Sequence, residues 1–304
     1  MKQTSMTALI CAFARAYHSE HNEVKIFDDT KASLLLRSKE SDQIAKSLSD
    51  GIAFFNPNFT GTQEAAIRWI VDQQLSPLPL GRAAFAEQAL QRAVSIGARQ
   101  YCIVGAGYDT FAYRQPAWAK NLSIFEMDHP ATAKDKQDRL KESALPIPNN
   151  VHFISADLSK ELWHVSLTQN PLFDVRQVSV CSILGLVYYL SKQTFAELLS
   201  ILSSLFPKGS SLVFDYPDED HDTERAGERA KKQVMLAGGA KETMLSSYSY
   251  RDIEDLLSEH GFLIYEHLTP TDMTQQYFKT YNQANPDHPM TGFDNVNYCL
   301  AVRQ

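Results

Sequence analysis

Short apolar runs alternate with segments of helical periodicity from residue 81 to the end of the chain. Between Gly81 and Ile96 apolar residues recur every three or four positions, which predicts a helix that Gly97 ends. Apolar runs typical of buried strands follow, and the alternating pattern of the last run predicts a strand near a sheet edge. Strands separated by helices predict a mainly parallel sheet with helices on both faces. We place the strands at 101–104, 122–125, 151–154, 175–183, 210–216, 262–268 and 296–302.

Two helices in the second half of the chain carry clear signals. The residues from Lys192 to Phe206 show the strongest amphipathic pattern, and Pro207 cannot continue that helix. Ser249, followed three residues later by Asp252, predicts a capping box at the start of another helix. Both helices fall between predicted strands, as a parallel sheet requires.

The other segments have weaker patterns. Residues 1–80 are expected to be mostly helical with polar interruptions, and residues 6–17 favour an amphipathic helix over a signal peptide. Residues 76–79, which include two prolines, indicate a turn or linker. The charged stretch 218–232 predicts a solvated helix, with the glycine pair at 238–239 as a flexible point after it.

The composition excludes several classes of protein. The chain has 304 residues, of which 44% are hydrophobic and 21% are charged, and this balance is typical of a folded globule. The net charge of −7, without a long run of Lys or Arg, argues against a nucleic-acid partner. No apolar stretch is long enough to span a membrane. We therefore expect a globular protein that binds neither nucleic acid nor membrane.

The four cysteines form no C-x-x-C pair. Cys102, Cys181 and Cys299 fall within predicted strands, so we interpret them as buried free thiols in a reducing compartment, and we expect a cytoplasmic location. His18 and His21 have no Cys or carboxylate cluster around them in the sequence, and we predict no metal site.

The first strand ends in a glycine turn that indicates a ligand site. Val104 is followed by the turn Gly105–Gly107, and only glycine lets the backbone come this close to a ligand. Glu126 stands at the end of the second apolar run, and Asp157 follows the third. Because the carboxyl ends of parallel strands form one crevice, these features together fit a nucleoside, with Glu126 on the ribose hydroxyls and Asp157 at the base.

The residues after the turn favour a cofactor without phosphate. A dinucleotide fingerprint has a third glycine where this chain has Thr110, and Asp109 would repel a phosphate. Asp109 could instead pair with the ammonium group of S-adenosylmethionine. The carboxylate of the same cofactor requires a cation, for which Arg82 or Arg114 is available.

These motifs, taken in order, resemble the leucine carboxyl methyltransferase family, including its bacterial polyketide O-methyltransferase-like branch. The resemblance spans residues 5–216 at least and is carried by Ser5–Ala8, Ala14–Ala16, Arg82, Gln100–Arg114, Glu126–Pro130, Ser155–Leu158 and Tyr188–Leu190. It implies a class I methyltransferase with a doubly wound, seven-stranded, mainly parallel sheet whose last strand is antiparallel. It further implies a helical N-terminal cap over 1–80 and a Rossmann-like domain over 81–304, with an inserted helical segment near 218–245.

The resemblance also implies a set of cofactor-binding residues. Arg82 would bind the methionine carboxylate, and Asp157 with Leu158 would frame the adenine. The family commonly has Arg at the position of Phe111 and an acidic residue at that of Leu184, so the chain lacks two polar groups of the family pattern. The implied set comprises Arg82, Gly105, Ala106, Gly107, Asp109, Glu126, Met127, Asp157 and Leu158.

We therefore predict an S-adenosylmethionine-dependent O-methyltransferase that acts on a carboxylate or hydroxyl of a small molecule, in preference to a protein C-terminus. A carboxylate acceptor needs no general base, whereas a hydroxyl does. His129, Tyr188 and Tyr189 are the candidates, although a helix-start role for the histidine and core packing for the tyrosines are the simpler interpretations. The alternatives are a nicotinamide-dependent oxidoreductase that uses the same crevice and a cofactor-binding protein without transferase activity.

Overall fold

The computed structural model describes residues 5–158, 163–221, 223–239 and 242–304. Within them, seven strands form one sheet in the order β3-β2-β1-β4-β5-β7-β6. Neighbouring strands are parallel except that β7 runs antiparallel to both β5 and β6, which confirms the predicted topology. The strands are β1 Gln100–Val104, β2 Ser123–Asp128, β3 Val151–Ser155, β4 Ser179–Ile183, β5 Ser211–Pro217, β6 Phe262–Leu268 and β7 Val296–Arg303.

Helices make up the region before β1 and separate the later strands. The predicted N-terminal helix, the helix from Lys192 and the capping box of Ser249 with Asp252 are all confirmed. Single π-helical turns follow α4 at Val71–Leu75 and α11 at Thr274–Phe278. The helices are α1 Met6–His21, α2 Ser38–Asp50, α3 Ile52–Phe55, α4 Gln63–Ile70, α5 Pro77–Ser95, α6 Pro130–Glu142, α7 Val165–Thr168, α8 Lys192–Leu205, α9 Glu228–Gly239, α10 Tyr250–Glu259, α11 Pro270–Met273 and α12 Lys279–Ala284.

The strand order creates a crevice at the centre of the sheet. From β1 the chain adds β2 and then β3 on one side, and afterwards returns to add β4 and β5 on the other. The connections after β1 and β4 therefore leave in opposite directions, and a crevice opens between the carboxyl ends of these two strands. Ligands bind at this point in doubly wound sheets.

Two boundaries differ from the sequence predictions. Residues 76–79 are not a linker, because α5 begins at Pro77, and a proline at the first helical position needs no N–H donor. Helix α5 thus crosses residue 80, and the division into a cap and a main domain stays a prediction. The fourth strand begins at Ser179 because residues 174–177 form a hydrogen-bonded turn.

The charged insertion and the last strand also differ in detail. The helix predicted at 218–232 begins only at Glu228 and includes the glycine pair as its last residues, so the glycines are not a flexible point beyond it. Strand β7 lies next to the edge strand β6, but it is buried on both faces for most of its length, including Asn297 and Cys299. The alternation of residue types along β7 therefore does not correspond to one exposed and one buried face. Strand β6, at the edge of the sheet, is the strand with exposed side chains.

Apolar side chains fill both sides of the sheet. One buried cluster includes Leu80, Phe85 and Tyr298, and the other includes Phe195, Leu199 and Phe214. Three strand cysteines are buried free thiols, as predicted, whereas Cys11 in α1 is only half-buried. No helix in the described part of the chain is long and apolar enough to cross a membrane.

A buried carboxylate in the helical N-terminal region leads to a stability prediction. Asp72 is 2% exposed, and Arg68 Nε lies 3.5 Å from its Oδ2, which is too far for a strong bond. Burial raises the pKa of Asp72 to about 6, against the attraction of Arg68 and His288. Because the folded state then holds this proton more tightly than the unfolded chain does, stability falls as the pH rises from 3.8 to about 6.

We expect Asp72→Asn to raise the free energy of unfolding at about pH 7 by about 2–3 kcal/mol, since each pKa unit corresponds to about 1.4 kcal/mol. The gain should vanish below about pH 4, where the carboxyl is protonated in both states. Asp50→Asn at the exposed end of α2 is the matched control and should change little. Urea unfolding at both pH values measures the effect, and equal stability of Asp72→Asn and wild type at neutral pH would contradict it.

Candidate active site

A cavity of about 520 Å³ occupies the crevice at the carboxyl ends of β1 and β4. Its floor is the glycine turn, and one side is formed by Arg82 of α5 and the residues that follow β4. Helix α1, α9 with the segment after it, and the end of β2 with the start of α6 also contribute to the lining. A concave site of this size suits a nucleoside cofactor together with part of a second substrate.

The glycine turn has the left-handed backbone that its sequence predicts. Gly105 has a φ of +71° and Gly107 one of +47°, a region that residues with a Cβ rarely adopt. The N–H groups of Gly105 and Ala106 both donate to the Met127 carbonyl, at 2.8 and 3.0 Å. A Cβ on Gly105 would lie 3.1 Å from Leu186 Cδ2. The turn therefore needs glycine both for its conformation and for the space above it.

Of the two acidic residues near the end of β2, Asp128 lines the cavity and Glu126 is not among the described lining residues. Asp128 is the last residue of β2 and lines the cavity, and its Oδ2 accepts the Gly107 N–H at 2.5 Å. Its Oδ1 accepts the His129 N–H at 2.6 Å. Burial raises the pKa of Asp128, while the two N–H donors favour the charged form. The carboxylate thus joins β2 to the glycine turn at the edge of the crevice.

Glu126 lies deeper in the sheet and has other partners. Its Oε2 is 2.7 Å from Lys136 Nζ on α6 and accepts a hydrogen bond from Tyr113 Oη at 2.9 Å. The side chains of Glu126 and Lys136 are each only 2% exposed. Burial raises the pKa of Glu126, and Lys136 opposes that effect. Glu126 is thus a buried ion-pair partner outside the described cavity lining, and its assignment to the ribose stays a prediction.

Three further predicted residues divide in the same way. Ala106 and Asp109 line the cavity, and Asp109 Oδ1 accepts the Phe111 N–H at 2.8 Å. Met127 is fully buried within β2 and contributes its carbonyl to the turn. Phe111, at the position of a family arginine, packs its ring edge-on against Tyr101.

The predicted adenine residues lie outside the cavity lining. Asp157 and Leu158 follow β3, at the predicted edge of the sheet, but neither is among the described residues that line the cavity. Leu158 packs against the buried cluster beside α8. Their assignment to the adenine stays a prediction.

Arg82 is placed by a glycine and by a carboxylate from the neighbouring strand. Its Nη1 is 3.6 Å from Asp215 Oδ2, and Asp215 Oδ1 accepts the Gly185 N–H at 2.7 Å. A Cβ on Gly185 would overlap Arg82 Nη1, so any side chain at this position would displace the guanidinium group. Asp215 of β5 is fully buried. Its carboxylate supplies an acidic partner for Arg82 in a chain where Leu184 replaces the acidic residue of the family pattern.

An ionic network fastens α1 to the glycine turn. Asp29 accepts from Arg15 Nε at 2.8 Å and from the Thr110 hydroxyl at 2.5 Å. Arg114, the second candidate for the cofactor carboxylate, lies 3.4 Å from Asp29 and is bonded twice to Glu87. Arg114 lines the cavity, but its charge is already paired.

The three candidate bases have structural partners. Tyr188 donates to Asp215 Oδ2 at 3.0 Å, and burial raises the pKa of both Tyr188 and Tyr189. His129 Nδ1 accepts the Ala131 N–H at 3.3 Å and caps α6, as the simpler interpretation predicts. In a neutral imidazole whose Nδ1 accepts this hydrogen bond, the proton is on Nε2. His129 then has no free basic nitrogen that could face the cavity.

Sequence reasoning missed Asp128, Asp215 and the Arg15–Asp29 pair. Asp128 could have been predicted from the sequence, because it directly precedes the His129-Pro130 helix start and therefore marks the end of the strand. Asp215 and Asp29 gave no sequence signal, since their contacts with Arg82 and Thr110 join residues more than 80 positions apart.

Comparisons with known sequences give a consistent result. The model of the family described as leucine carboxyl methyltransferase matches residues 8–203. A protein of Bacillus subtilis (strain 168), named "Putative S-adenosyl-L-methionine-dependent methyltransferase YktD", is 38% identical over 310 residues, with 99% of each chain covered. A relative of the same description from Mycobacteroides abscessus is 27% identical, with 97% of this chain and 94% of the relative covered.

Solved structures with the same fold are known. A DUF574 family protein from Streptomyces avermitilis superposes with a TM-score of 0.62 at 11% identity, with 99% of this chain and 98% of the other covered. A protein from Thermobifida fusca, titled "putative methyltransferase", has a TM-score of 0.56 at 14% identity, with 99% and 96% covered. At these identities the likeness concerns the fold alone.

Proposed function

Since the chain belongs to the leucine carboxyl methyltransferase family, it is a methyltransferase, and we propose that it transfers the methyl group of S-adenosylmethionine to an oxygen atom of a small-molecule acceptor. The observation that carries the proposal is the convergence of three groups on one cavity. These are the glycine turn, the cation Arg82 and the strand-end carboxylate Asp128. The relatives' names, which specify the same cofactor, support it.

The lining of the cavity fits this cofactor group by group. Arg82 suits the methionine carboxylate, and Asp109 suits the ammonium group. Asp128 at the end of β2 is the carboxylate suited to the two ribose hydroxyls. Gly105 and Gly107 let the backbone approach the ligand closely, and no phosphate site is needed. When bound, S-adenosylmethionine supplies a methyl group on a positively charged sulfur that an oxygen nucleophile can attack.

The contribution of the protein to the reaction is orientation and exclusion of water. Asp29 and Arg15 fix α1 against the glycine turn, and the Met6 N–H at the start of α1 donates to Glu242 Oε1 at 3.1 Å. These contacts place α1 and residue 242 over the cavity. Alignment of two reactants in such a site can lower a barrier by about 7–11 kcal/mol.

Calorimetry with S-adenosylmethionine, S-adenosylhomocysteine and NAD tests the cofactor, and methyl transfer from labelled S-adenosylmethionine to a bacterial small-molecule extract tests the reaction. We expect both adenosyl compounds to bind, NAD not to bind, and label to appear in the extract. Binding of NAD alone would favour an oxidoreductase. Tight binding of S-adenosylmethionine without any transfer would favour a protein that has kept the cofactor site but lost activity.

A further inference from the structure

One wall of the cavity comes from α1, α9 and the segment after α9 rather than from the strand ends. We call it the cap wall, and it consists of Ser5, Thr7, Gln233, Glu242 and Thr243. Its polar groups are three hydroxyls, an amide and a carboxylate. Among the described residues it contains no Lys, Arg or His, so its charge is negative.

The cations elsewhere in the cavity are already paired. Arg15 bonds to Asp29 and to the Tyr108 carbonyl, at 2.8 and 2.7 Å. Arg114 is held by Glu87 and Asp29. Apart from the positively charged sulfur of a bound cofactor, an ionised acceptor carboxylate would thus meet the negative cap wall without a free cation among the described side chains.

The third arginine of the cavity is the one proposed to bind the cofactor. Arg82 lies 3.6 Å from Asp215 and is the cation proposed for the methionine carboxylate. A second carboxylate beside it would compete with the methionine carboxylate for the same guanidinium group. The described side chains therefore offer a carboxylate acceptor no cation of its own.

One group of the cap wall lacks a hydrogen-bond donor, and a second can accept more than it does. Gln233 Oε1 is buried and has no donor among the described residues. Glu242 uses Oε1 to accept the Met6 N–H, and the carboxylate can accept further hydrogen bonds. A buried acceptor left without a donor is costly, so a substrate that supplies an O–H group would satisfy Gln233 Oε1.

Glu242 shares the cavity with the residue proposed for the methionine end of the cofactor. Glu242, Tyr189 and Cys11 line the same cavity as Arg82. Cys11 Sγ is 3.3 Å from Arg82 Nη2. The glutamate and the cation proposed for the methionine carboxylate therefore face one cavity.

We propose that the acceptor is a neutral molecule that presents a hydroxyl group, and that Glu242 accepts the hydrogen bond of this hydroxyl and takes its proton. In the transfer, the acceptor oxygen forms a bond to the methyl carbon while the carbon–sulfur bond breaks, and the electron pair of that bond stays on sulfur. The hydroxyl proton passes to the Glu242 carboxylate and from there to water. This inference rests on the proposed function and specifies its acceptor class.

The chemistry of the labelled product tests the acceptor class. After transfer from methyl-labelled S-adenosylmethionine to the small-molecule extract, alkali releases volatile methanol from methyl esters but not from methyl ethers or methylated amines. We expect label that is stable to alkali and that mass spectrometry assigns to oxygen. Volatile label, or label on nitrogen, would overturn the inference and leave the methyltransferase function intact. Complete absence of label would instead contradict the proposed function itself.

Glu242→Gln tests the role of the glutamate. Glutamine keeps an oxygen for the Met6 N–H but cannot take a proton, so we expect kcat with the labelled acceptor to fall about 100-fold, as for loss of a general base. Calorimetry should show unchanged affinity for S-adenosylmethionine, and Glu242→Asp should recover part of kcat. Glu228→Gln, exposed at the start of α9, is the control with wild-type kcat. An unchanged kcat in Glu242→Gln, or a loss of cofactor affinity equal to the loss of kcat, would overturn this role.

Discussion

Asp128→Asn is expected to weaken S-adenosylmethionine binding about 10- to 100-fold, because hydrogen bonds to a charged group contribute about 1.5–3 kcal/mol. The proposed ribose hydroxyls would lose a carboxylate that accepts from both. An asparagine would also turn an NH₂ group toward the N–H of Gly107 or of His129, both of which Asp128 now accepts. Calorimetry with the cofactor measures the change.

Glu126→Gln is the matched control for this prediction, because it makes the same chemical change two residues earlier on the same strand. Successive residues of a strand rise about 3.3 Å, so the two carboxylates share a face but are separated by about 6.6 Å in depth. We expect Glu126→Gln to keep the cofactor affinity of wild type. The reverse pattern, in which Glu126→Gln weakens binding and Asp128→Asn does not, would place the ribose at Glu126.

Lys136→Met is expected to lower the free energy of unfolding by about 3–5 kcal/mol, since it leaves the Glu126 carboxylate buried without its cation. Both side chains are 2% exposed, and the Lys136 ammonium also lies 5.4 Å from the centre of the Tyr113 ring. Chemical unfolding of the apoprotein measures the effect. The affinity for the cofactor should stay that of wild type wherever the variant is folded.

The double variant Glu126→Leu with Lys136→Met distinguishes loss of a partner from loss of packing. Replacement of a whole buried ion pair by apolar side chains is often neutral or stabilising. We therefore expect the double variant to be more stable than Lys136→Met alone. If both variants are equally destabilised, the loss of stability comes mainly from lost packing of the lysine side chain and not from the unpaired carboxylate.

The course of the chain was largely predictable because its signals are local. The apolar run before Gly105, the helix from Lys192 and the capping box of Ser249 are each formed by neighbouring residues, and each appears in the structure. The errors fell where a local signal is ambiguous. A proline pair can indicate a linker or, as at Pro77, the first turn of a helix.

The site was predictable only in part, for a related reason. Gly105, Gly107 and Arg82 line the cavity as expected, because a glycine turn after the first strand can only face the crevice. The carboxylate that lines the cavity lies two residues beyond the predicted Glu126, since the sequence does not mark where β2 passes from the covered sheet to its open end. Lys136 on α6 decides that point by pairing with Glu126.

The sequence by itself determined the order of strands and helices, the glycine turn and the resemblance to a methyltransferase family, because these depend on residues that are close together in the chain. Only the tertiary structure decided which carboxylate faces the cavity, which strand supplies the acidic partner of Arg82 and which arginines are already neutralised. Each of these depends on depth in the sheet or on a contact between distant segments. The same contacts leave Glu242 and Gln233 as hydrogen-bond acceptors in the cap wall, and on them the proposed hydroxyl acceptor depends.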